Sequence, residues 1–188
     1  MEVEPIKDLN KIQAIKVLLH NSNPRDEALF VLGINTALRI GDLLSLKMCD
    51  VLNETGQILD AAEVQEQKTR KKKRFPLNQS VRDALTCYLE TRQEFCLDEP
   101  LFPSKRKGLP LSRWRARRIL HAAGQAVGLS RIGTHSLRKT FAYHVYRRTG
   151  GNLGLVQKLL NHTSSADTLR YIGIDRDEMN TTYLELNL

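Results

Sequence analysis

The chain has 188 residues, 41% hydrophobic and 27% charged, a length and composition that fit one ordinary globular domain and leave little room for a second. Its 29 lysines and arginines exceed its 21 aspartates and glutamates, which gives a formal net charge of +8. Because cations that neutralise phosphates release counterions, this excess favours a polyanionic partner, nucleic acid first. The alternative is a basic protein that is merely kept in solution by its charge.

Targeting and redox signals point to the cytoplasm. The acidic start "MEVEPIKDLN" has neither the cations nor the apolar run of a signal peptide, and no apolar run is long enough to span a bilayer, so no membrane partner is expected. Cys49, Cys87 and Cys96 are an odd number of cysteines without CxxC spacing, which favours reduced thiols. The five histidines are scattered, so no metal site is predicted.

The first part of the chain predicts helices. Asp8 is a suitable N-cap for a helix whose apolar face is formed by Leu9, Ile12, Ile15, Leu18 and Leu19. A second helical run follows, with Asn23 as its cap and Pro24 at its first position. Gly33 and Gly41 weaken this run, which predicts two helices with Arg39 close to their join.

The rest of the chain predicts one small sheet and then helices only. A turn at Asn53 to Gly56 and the stretch "AEVQEQKTRKKKRFPL" indicate two short antiparallel strands around a charged loop. Helices are predicted at Gln79 to Phe95, Ser112 to Val127, Thr134 to Thr149, Asn152 to Leu160 and Ser164 to Ile172. The predicted fold class is therefore mainly α with a small antiparallel β-sheet, an α+β domain.

Two basic segments are candidate DNA-binding surfaces. "KTRKKKR" places six cations in seven residues on the predicted hairpin, which favours contact with a phosphate backbone over a nuclear-import-like or solubility patch. In "SRWRARR", helical spacing turns Trp114 inward with Ile119, so Trp114 is expected in the core and the arginines outside. The candidate DNA-binding residues are Arg70, Lys71, Lys72, Lys73, Arg74, Arg113, Arg115, Arg117 and Lys139.

Two further motifs contain groups suited to phosphate chemistry. His135 and Arg138 are three residues apart and share a helix face. Thr134 is a suitable N-cap, which places His135 in the first turn, where backbone N–H groups attract anions. Downstream, "LLNHTSSADTLRYIG" contains His162 and Tyr171. A tyrosine is normally a packing residue, and it becomes a nucleophile only beside cations and an acceptor for its proton.

Together, "TALRIGDLLSL", "KTRKKKRFPL", "HSLRKTFAYH" and "LLNHTSSADTLRYIGI" resemble the tyrosine recombinase (phage integrase) family, from about Leu9 to Tyr183. The resemblance implies the catalytic-domain fold of that family and a role for Asp42 in orienting the first arginine. It implies the catalytic set Arg39, Lys68, His135, Arg138, His162 and Tyr171. Lys68 stands eight residues before Pro76, as in "GKGxxKxRxxPL"-type members, although the glycines are missing here and three other hairpin lysines are alternatives.

The resemblance also implies an activity. Tyr171 is expected to attack a phosphodiester of double-stranded DNA and form a 3′-phosphotyrosyl link, in a site-specific recombinase or integrase that needs no cofactor. A homo-tetramer on paired DNA sites is expected, with weak association or monomers without DNA, and the apolar tail after Asp175 is expected either to dock on a neighbouring protomer or to pack on its own domain.

Residues 1–188 are expected to form the catalytic domain, with the N-terminal core-binding domain of most members absent. Three alternatives remain open from the sequence. They are a DNA-binding module without chemistry, a type IB topoisomerase-like enzyme that uses the same residues, and, more distantly, an RNA-binding protein.

Overall fold

The computed structural model describes residues 3–68, 70–92, 94–106, 108–173 and 183–186. The predicted class is confirmed, because helices dominate and the two strands form one antiparallel sheet. Within the described ranges, no helix combines the length and the hydropathy that a bilayer crossing requires. The helices and strands are, in chain order, α1 (Leu9–Ser22), α2 (Pro24–Thr36), α3 (Ile40–Leu44), β1 (Ala61–Gln65), β2 (Lys72–Pro76), α4 (Gln79–Glu90), α5 (Arg113–Ala126), α6 (Thr134–Arg148), α7 (Leu153–Leu160) and α8 (Ser165–Ile172).

Helix α2 is the centre of the core and packs against α1, α4 and α6. It begins as the sequence predicts, since the Asn23 side chain accepts a hydrogen bond from the Arg25 N–H at 3.0 Å and Pro24 occupies the first turn. Every residue from Ala28 to Gly33 is buried. An element buried on all sides is a rigid base for the residues that follow it.

The chain leaves α2 through a left-handed residue, Ala37, with φ of 56°. Arg39 then has an extended backbone and stands as the N-cap residue of α3. The break therefore lies where the sequence predicts it, but Gly33 is not its cause. Gly33 lies inside α2, where α6 approaches so closely that a Cβ would lie 2.5 Å from Leu137 Cδ1.

The β-hairpin has the predicted strands and a clear inner face. Ala62 pairs with Phe75 and Val64 pairs with Lys73. Residues directly opposite each other in an antiparallel pair point to the same side of the sheet, so these four side chains share the face that is turned toward the core. The connection between the strands is closed by the Glu66 N–H, which donates to the Lys71 carbonyl at 3.0 Å.

Helix α5 corrects one sequence prediction. Trp114 was expected in the core, but its side chain is 63% exposed and its ring lies 4.7 Å from the Arg118 guanidinium carbon. The buried face of α5 is instead formed by Ala116, Leu120, Ala123 and Gly124. The helix was predicted correctly, but the face that was predicted to be buried was wrong. Mostly small residues face the core and allow α5 to pack closely, whereas the largest apolar residue, Trp114, faces solvent.

Two smaller differences concern α1 and α4. On α1, Ile15 and Leu19 are buried as expected, but Leu9 is 68% exposed and Leu18 42% exposed. Helix α4 ends at Glu90, before the predicted end at Phe95. Beyond that end, Arg92 donates to the Tyr88 hydroxyl at 3.1 Å and forms an ion pair with Glu99.

The contact between α2 and α6 generates a stability prediction. Gly33→Ala should lower the free energy of unfolding by about 1–3 kcal/mol, because the added methyl overlaps the buried Leu137 side chain. Urea denaturation measures this change. The control is Gly154→Ala in α7, where the nearest atom to a new Cβ is 3.7 Å away. It should be neutral or stabilising by up to about 1 kcal/mol. Equal stability of Gly33→Ala and the parent chain would contradict the prediction.

Candidate active site

Arg138 lies at the centre of the candidate site. It projects from α6, whose N-cap is Gly133, so the expected cap Thr134 is instead the first helical residue. The side chain is almost fully buried, and its two terminal nitrogens, Nη1 and Nη2, donate to the carbonyls of Ala37 and Leu160. Its Nε has no hydrogen-bond partner among the described residues. A buried guanidinium that retains unused N–H groups is suited to bind an anion.

Arg39 is held beside this centre by a carboxylate that sequence reasoning missed. Its Nη1 donates to Glu66 Oε1 at 2.9 Å, and the Glu66 side chain is fully buried. The second oxygen of Glu66 accepts a hydrogen bond from Asn161 Nδ2 at 3.3 Å. Asp42, the residue expected to orient Arg39, instead accepts from the Gln67 backbone N–H at 2.8 Å. Asp42 therefore fixes the hairpin loop, and Glu66 pairs with the arginine.

His162 and Tyr171 come to the same centre from α7 and α8. Helix α7 ends at Asn161, which has a left-handed backbone with φ of 51°, and His162 follows directly. The His162 ring lies 4.8 Å from the Tyr171 ring in an edge-on arrangement. The Tyr171 ring is in turn 5.9 Å from the Arg138 guanidinium carbon. The phenol is half-buried and lies against the two groups that the sequence predicted as its partners.

The lysines of the hairpin differ in position. Lys68 is exposed in the loop. Lys73, expected as a DNA-binding residue, is half-buried on the inner face, and its Nζ donates to the Leu159 carbonyl at 2.9 Å. Burial, followed by the charge of Arg138, lowers the pKa of Lys73 to about 8. The other candidate DNA-binding residues of the hairpin are exposed: Arg70, Lys71, Lys72 and Arg74.

The remaining DNA-binding candidates also separate into two groups. Arg113, Arg115 and Arg117 are exposed on α5, and Arg113 donates to the Gln67 side chain at 3.1 Å, which joins α5 to the hairpin loop. Lys139 is only 7% exposed, and its Nζ lies 5.9 Å from the Tyr171 ring. Lys139 is thus beside the candidate nucleophile and not on an open surface.

Burial and neighbouring positive charge lower the pKa of three groups of the site, His135, Arg138 and His162. Burial and then Arg138 lower the pKa of His162, and partial burial of its ring and then Arg138 lower the pKa of His135 in the first turn of α6. Burial and then Arg39 lower the pKa of Arg138 to about 10, so its guanidinium stays charged at neutral pH. The site therefore contains neutral imidazoles beside fixed cations, an arrangement that would be stabilised by an added negative charge.

The alternation of inward and outward side chains along the two strands could have identified Glu66 and Lys73 as inward-facing residues. Ala62, Val64 and Glu66 are two residues apart and are all buried, so the carboxylate of Glu66 continues the inner face beyond the end of β1. Lys73, Phe75 and Leu77 form the corresponding inner series on the other side of the hairpin. A charged residue at an inward position of a strand signals a buried ion pair, and this signal was available from the sequence.

Known proteins share both the sequence and the fold of this chain. The model of the phage integrase family matches residues 7–178. The probable integrase/recombinase YoeC of Bacillus subtilis is 45% identical over 181 residues, which cover 96% of this chain and 95% of that protein. The chain belongs to the phage integrase family.

Other relatives are longer. Tyrosine recombinase XerC of Thermodesulfovibrio yellowstonii is 32% identical over 167 residues, which cover 85% of this chain but only 53% of that protein. The crystal structure of XerA recombinase matches with a TM-score of 0.77 at 23% identity, covering 100% of this chain and 65% of that one. XerH bound to its difH substrate matches with a TM-score of 0.74 at 20% identity, covering 98% of this chain and 53% of that one. These structures confirm the expected catalytic-domain fold.

The position of Lys73 predicts a pH dependence of stability. The pKa of Lys73 is about 8 in the folded chain and near 10.5 in an unfolded chain, so the unfolded state binds more protons between these values. The free energy of unfolding should therefore rise with pH across this window, by about 1–3 kcal/mol relative to Lys73→Met. Urea denaturation from pH 7 to pH 10.5 measures the difference between the two chains.

The matched control for this pH dependence is Lys72→Met, which removes an exposed lysine from the neighbouring position of the same strand. Its stability relative to the parent chain should not change across the same window. If the parent chain and Lys73→Met had parallel profiles, the buried position of Lys73 would be wrong.

Proposed function

We propose that this chain is the catalytic domain of a site-specific DNA recombinase or integrase, which cleaves and rejoins DNA strands through a 3′-phosphotyrosyl intermediate. The main supporting observation is that the Tyr171 ring lies beside both the Arg138 guanidinium and the His162 ring. Membership of the phage integrase family and the likeness to XerH bound to its difH substrate support double-stranded DNA as the partner. A DNA substrate in turn favours a cytoplasmic location.

In this proposal the two arginines bind the scissile phosphate. Arg138 uses one hydrogen on each terminal nitrogen for the Ala37 and Leu160 carbonyls, which leaves Nε and two further hydrogens for phosphate oxygens. Arg39 donates one N–H to Glu66, and a guanidinium has four further N–H groups that could donate to phosphate oxygens. Negative charge on the non-bridging oxygens increases as the bond to Tyr171 forms, so fixed guanidiniums stabilise the transition state more than the ground state.

Protons move through the neighbouring groups. The Tyr171 oxygen forms a bond to phosphorus while the bond from phosphorus to the 5′-oxygen breaks. Neutral His135 helps to accept the phenol proton, and His162 donates a hydrogen bond to the phosphate. Lys68 protonates the departing 5′-oxygen. The phosphotyrosyl bond conserves the energy of the broken diester, so the reverse reaction rejoins a strand without another energy source.

The exposed cations of the hairpin and of α5 are proposed to contact the DNA backbone. Arg113 connects these two surfaces through Gln67, so they would act on neighbouring phosphates of one duplex. The exposed Trp114 beside Arg118 belongs to the same basic helix. Because few phosphates would be contacted by a single domain, binding to one site should be weak and strongly dependent on salt.

Assembly into a tetramer on paired DNA sites is a further part of the proposal. Tyr183 and Leu184 in the tail are 80% and 82% exposed, so these apolar side chains are not covered by their own domain. Residues 174–182, including the expected cap Asp175, lie outside the described residues. A surface cavity of about 560 Å³ is lined by apolar residues such as Leu129 and Leu169 and by charged residues such as Lys11 and Arg131, and the tail of a neighbouring protomer could dock there.

The direct test is the covalent adduct. A nicked suicide DNA substrate should trap the parent chain as a protein–DNA adduct that is visible as a band of reduced mobility in a denaturing gel. Tyr171→Phe should form no adduct, because the phenyl ring packs like the phenol but has no nucleophilic oxygen. The control Tyr146→Phe removes a hydroxyl from α6 without changing the reaction. Adduct formation by Tyr171→Phe would remove Tyr171 from the role of nucleophile.

A sulfur substrate separates the hairpin lysines. With ordinary DNA, Lys68→Ala should slow single-turnover cleavage by about a hundredfold, the usual effect of losing a general acid. If sulfur replaces the bridging 5′-oxygen, the leaving thiolate needs no proton, because the pKa of a thiol is only about 8.5. Lys68→Ala should then cleave at nearly the parent rate.

Two other variants complete this experiment. Lys72→Ala alters an exposed hairpin cation and should show the same small effect with both substrates. Lys73→Ala should not be rescued by sulfur, since Lys73 Nζ already donates to the Leu159 carbonyl. Rescue of Lys73→Ala together with no rescue of Lys68→Ala would assign the general acid to Lys73.

A further inference from the structure

We propose that Glu66 is a positioning residue for the cleavage reaction, acting through Arg39, which it holds in the orientation that binds the scissile phosphate. This inference rests on the proposed function. It concerns a residue that the family resemblance did not point to, since the acidic residue expected beside Arg39 was Asp42. The observation is the contact of the fully buried Glu66 carboxylate with Arg39 at 2.9 Å.

The position of Glu66 connects three parts of the site. It follows directly after β1, and its backbone carbonyl accepts from the Arg70 N–H at 2.8 Å, so it closes the loop that contains Lys68. Its two carboxylate oxygens contact Arg39 before α3 and Asn161 after α7. One side chain therefore fixes the distance between the first arginine, the hairpin loop and the turn that leads into His162.

Electrostatics indicate why this residue is a carboxylate. A buried carboxylate is costly unless cations compensate it, so its presence here marks a place where positive charge is concentrated. Glu66 raises the pKa of both Lys73 and Arg138, against the lowering caused by burial and by the neighbouring cations. A neutral side chain of the same shape would keep a hydrogen bond to Arg39 but would not offset the repulsion between the cations.

The direction of the Arg39 side chain follows from this pair. The Arg39 side chain is 24% exposed, so it is partly buried but still reaches the surface. The bond from Nη1 to Glu66 restrains the plane of the guanidinium and leaves its other N–H groups available. An arginine held in this way loses little conformational freedom when phosphate binds, whereas an unrestrained arginine must be ordered during the reaction.

The experiment compares Glu66→Gln with Glu63→Gln. Glu63 lies on β1 itself, but its side chain is exposed and pairs with the exposed Lys72 at 3.0 Å, so the control makes the same chemical change outside the site. Single-turnover adduct formation on nicked suicide DNA is measured at saturating enzyme, and DNA affinity is measured separately by fluorescence anisotropy. Glu66→Gln should slow adduct formation by about tenfold or more, because the hydrogen bond to Arg39 is weakened to one with a neutral acceptor and the charge that offsets the repulsion between the cations is lost.

DNA affinity should stay within about twofold, since an interaction that matters mainly in the transition state changes the rate and not the binding. Glu63→Gln should leave both quantities within about twofold, as expected for an exposed ion pair.

A double-mutant cycle distinguishes positioning from general destabilisation. In an Arg39→Lys background, Glu66→Gln should lower the rate of adduct formation much less than in the parent chain. Lysine has no planar guanidinium whose orientation Glu66 could restrain. A purely structural role would lower the fraction of active enzyme equally in both backgrounds. If Glu66→Gln does not fold, Asn161→Gly is the second variant. Glycine keeps the positive φ of this position and removes the Asn161 side chain that donates to the second Glu66 oxygen. Asn161→Gly should slow adduct formation less than Glu66→Gln does, and its effect should also be smaller in the Arg39→Lys background.

The outcomes are distinct. An adduct-forming parent chain whose rate is unchanged by Glu66→Gln, or equal losses in both backgrounds, would overturn the role of Glu66 and leave the proposed function intact. No adduct from the parent chain would overturn the proposed function, and the role of Glu66 with it.

Discussion

The burial of one guanidinium organises the candidate site. Arg138 is almost inaccessible to solvent, and the fold compensates its charge with the carbonyls of Ala37 and Leu160, at the ends of α2 and α7. The carboxyl end of a helix has a partial negative charge, which suits a cation. Arg39 and His162 each follow one of these carbonyls by two residues. The groups on either side of the guanidinium are thus placed by the same contacts that make its burial possible.

This arrangement explains the electrostatic state of the site. Burial is the largest cause of the lowered pKa of both Lys73 and Arg138, and neighbouring arginines lower both further, whereas the buried carboxylates of Glu66 and Asp42 act in the opposite direction. The surplus of positive charge is unfavourable in the isolated chain, and it makes a bound phosphate favourable. The same cluster of cations therefore lowers the stability of the fold and strengthens the binding of an anion, as is common in preorganised binding sites.

Tyr171 has a matching position. Its ring lies 5.9 Å from the Arg138 guanidinium carbon and edge-on to the His162 ring, so it packs α8 against the two groups beside it. In the proposed reaction, a phosphate bound to Arg138 would therefore lie close to Tyr171.

The sequence by itself determined the family and the fold class and supplied the candidate residues of the site, because these depend on local sequence signals. Caps such as Asp8, Asn23 and Ser112 begin helices at the predicted places, and strand alternation is visible on either side of "KTRKKKR". Only the tertiary structure decided that Glu66 pairs with Arg39, that Lys73 donates to the Leu159 carbonyl, and that Trp114 faces solvent. Arg39 and Glu66 are 27 residues apart, Glu66 and Asn161 are 95 apart, and Arg138 and Ala37 are 101 apart. Such pairs form only when packed helices bring distant segments together, and no local pattern specifies which of several neighbouring charges will meet.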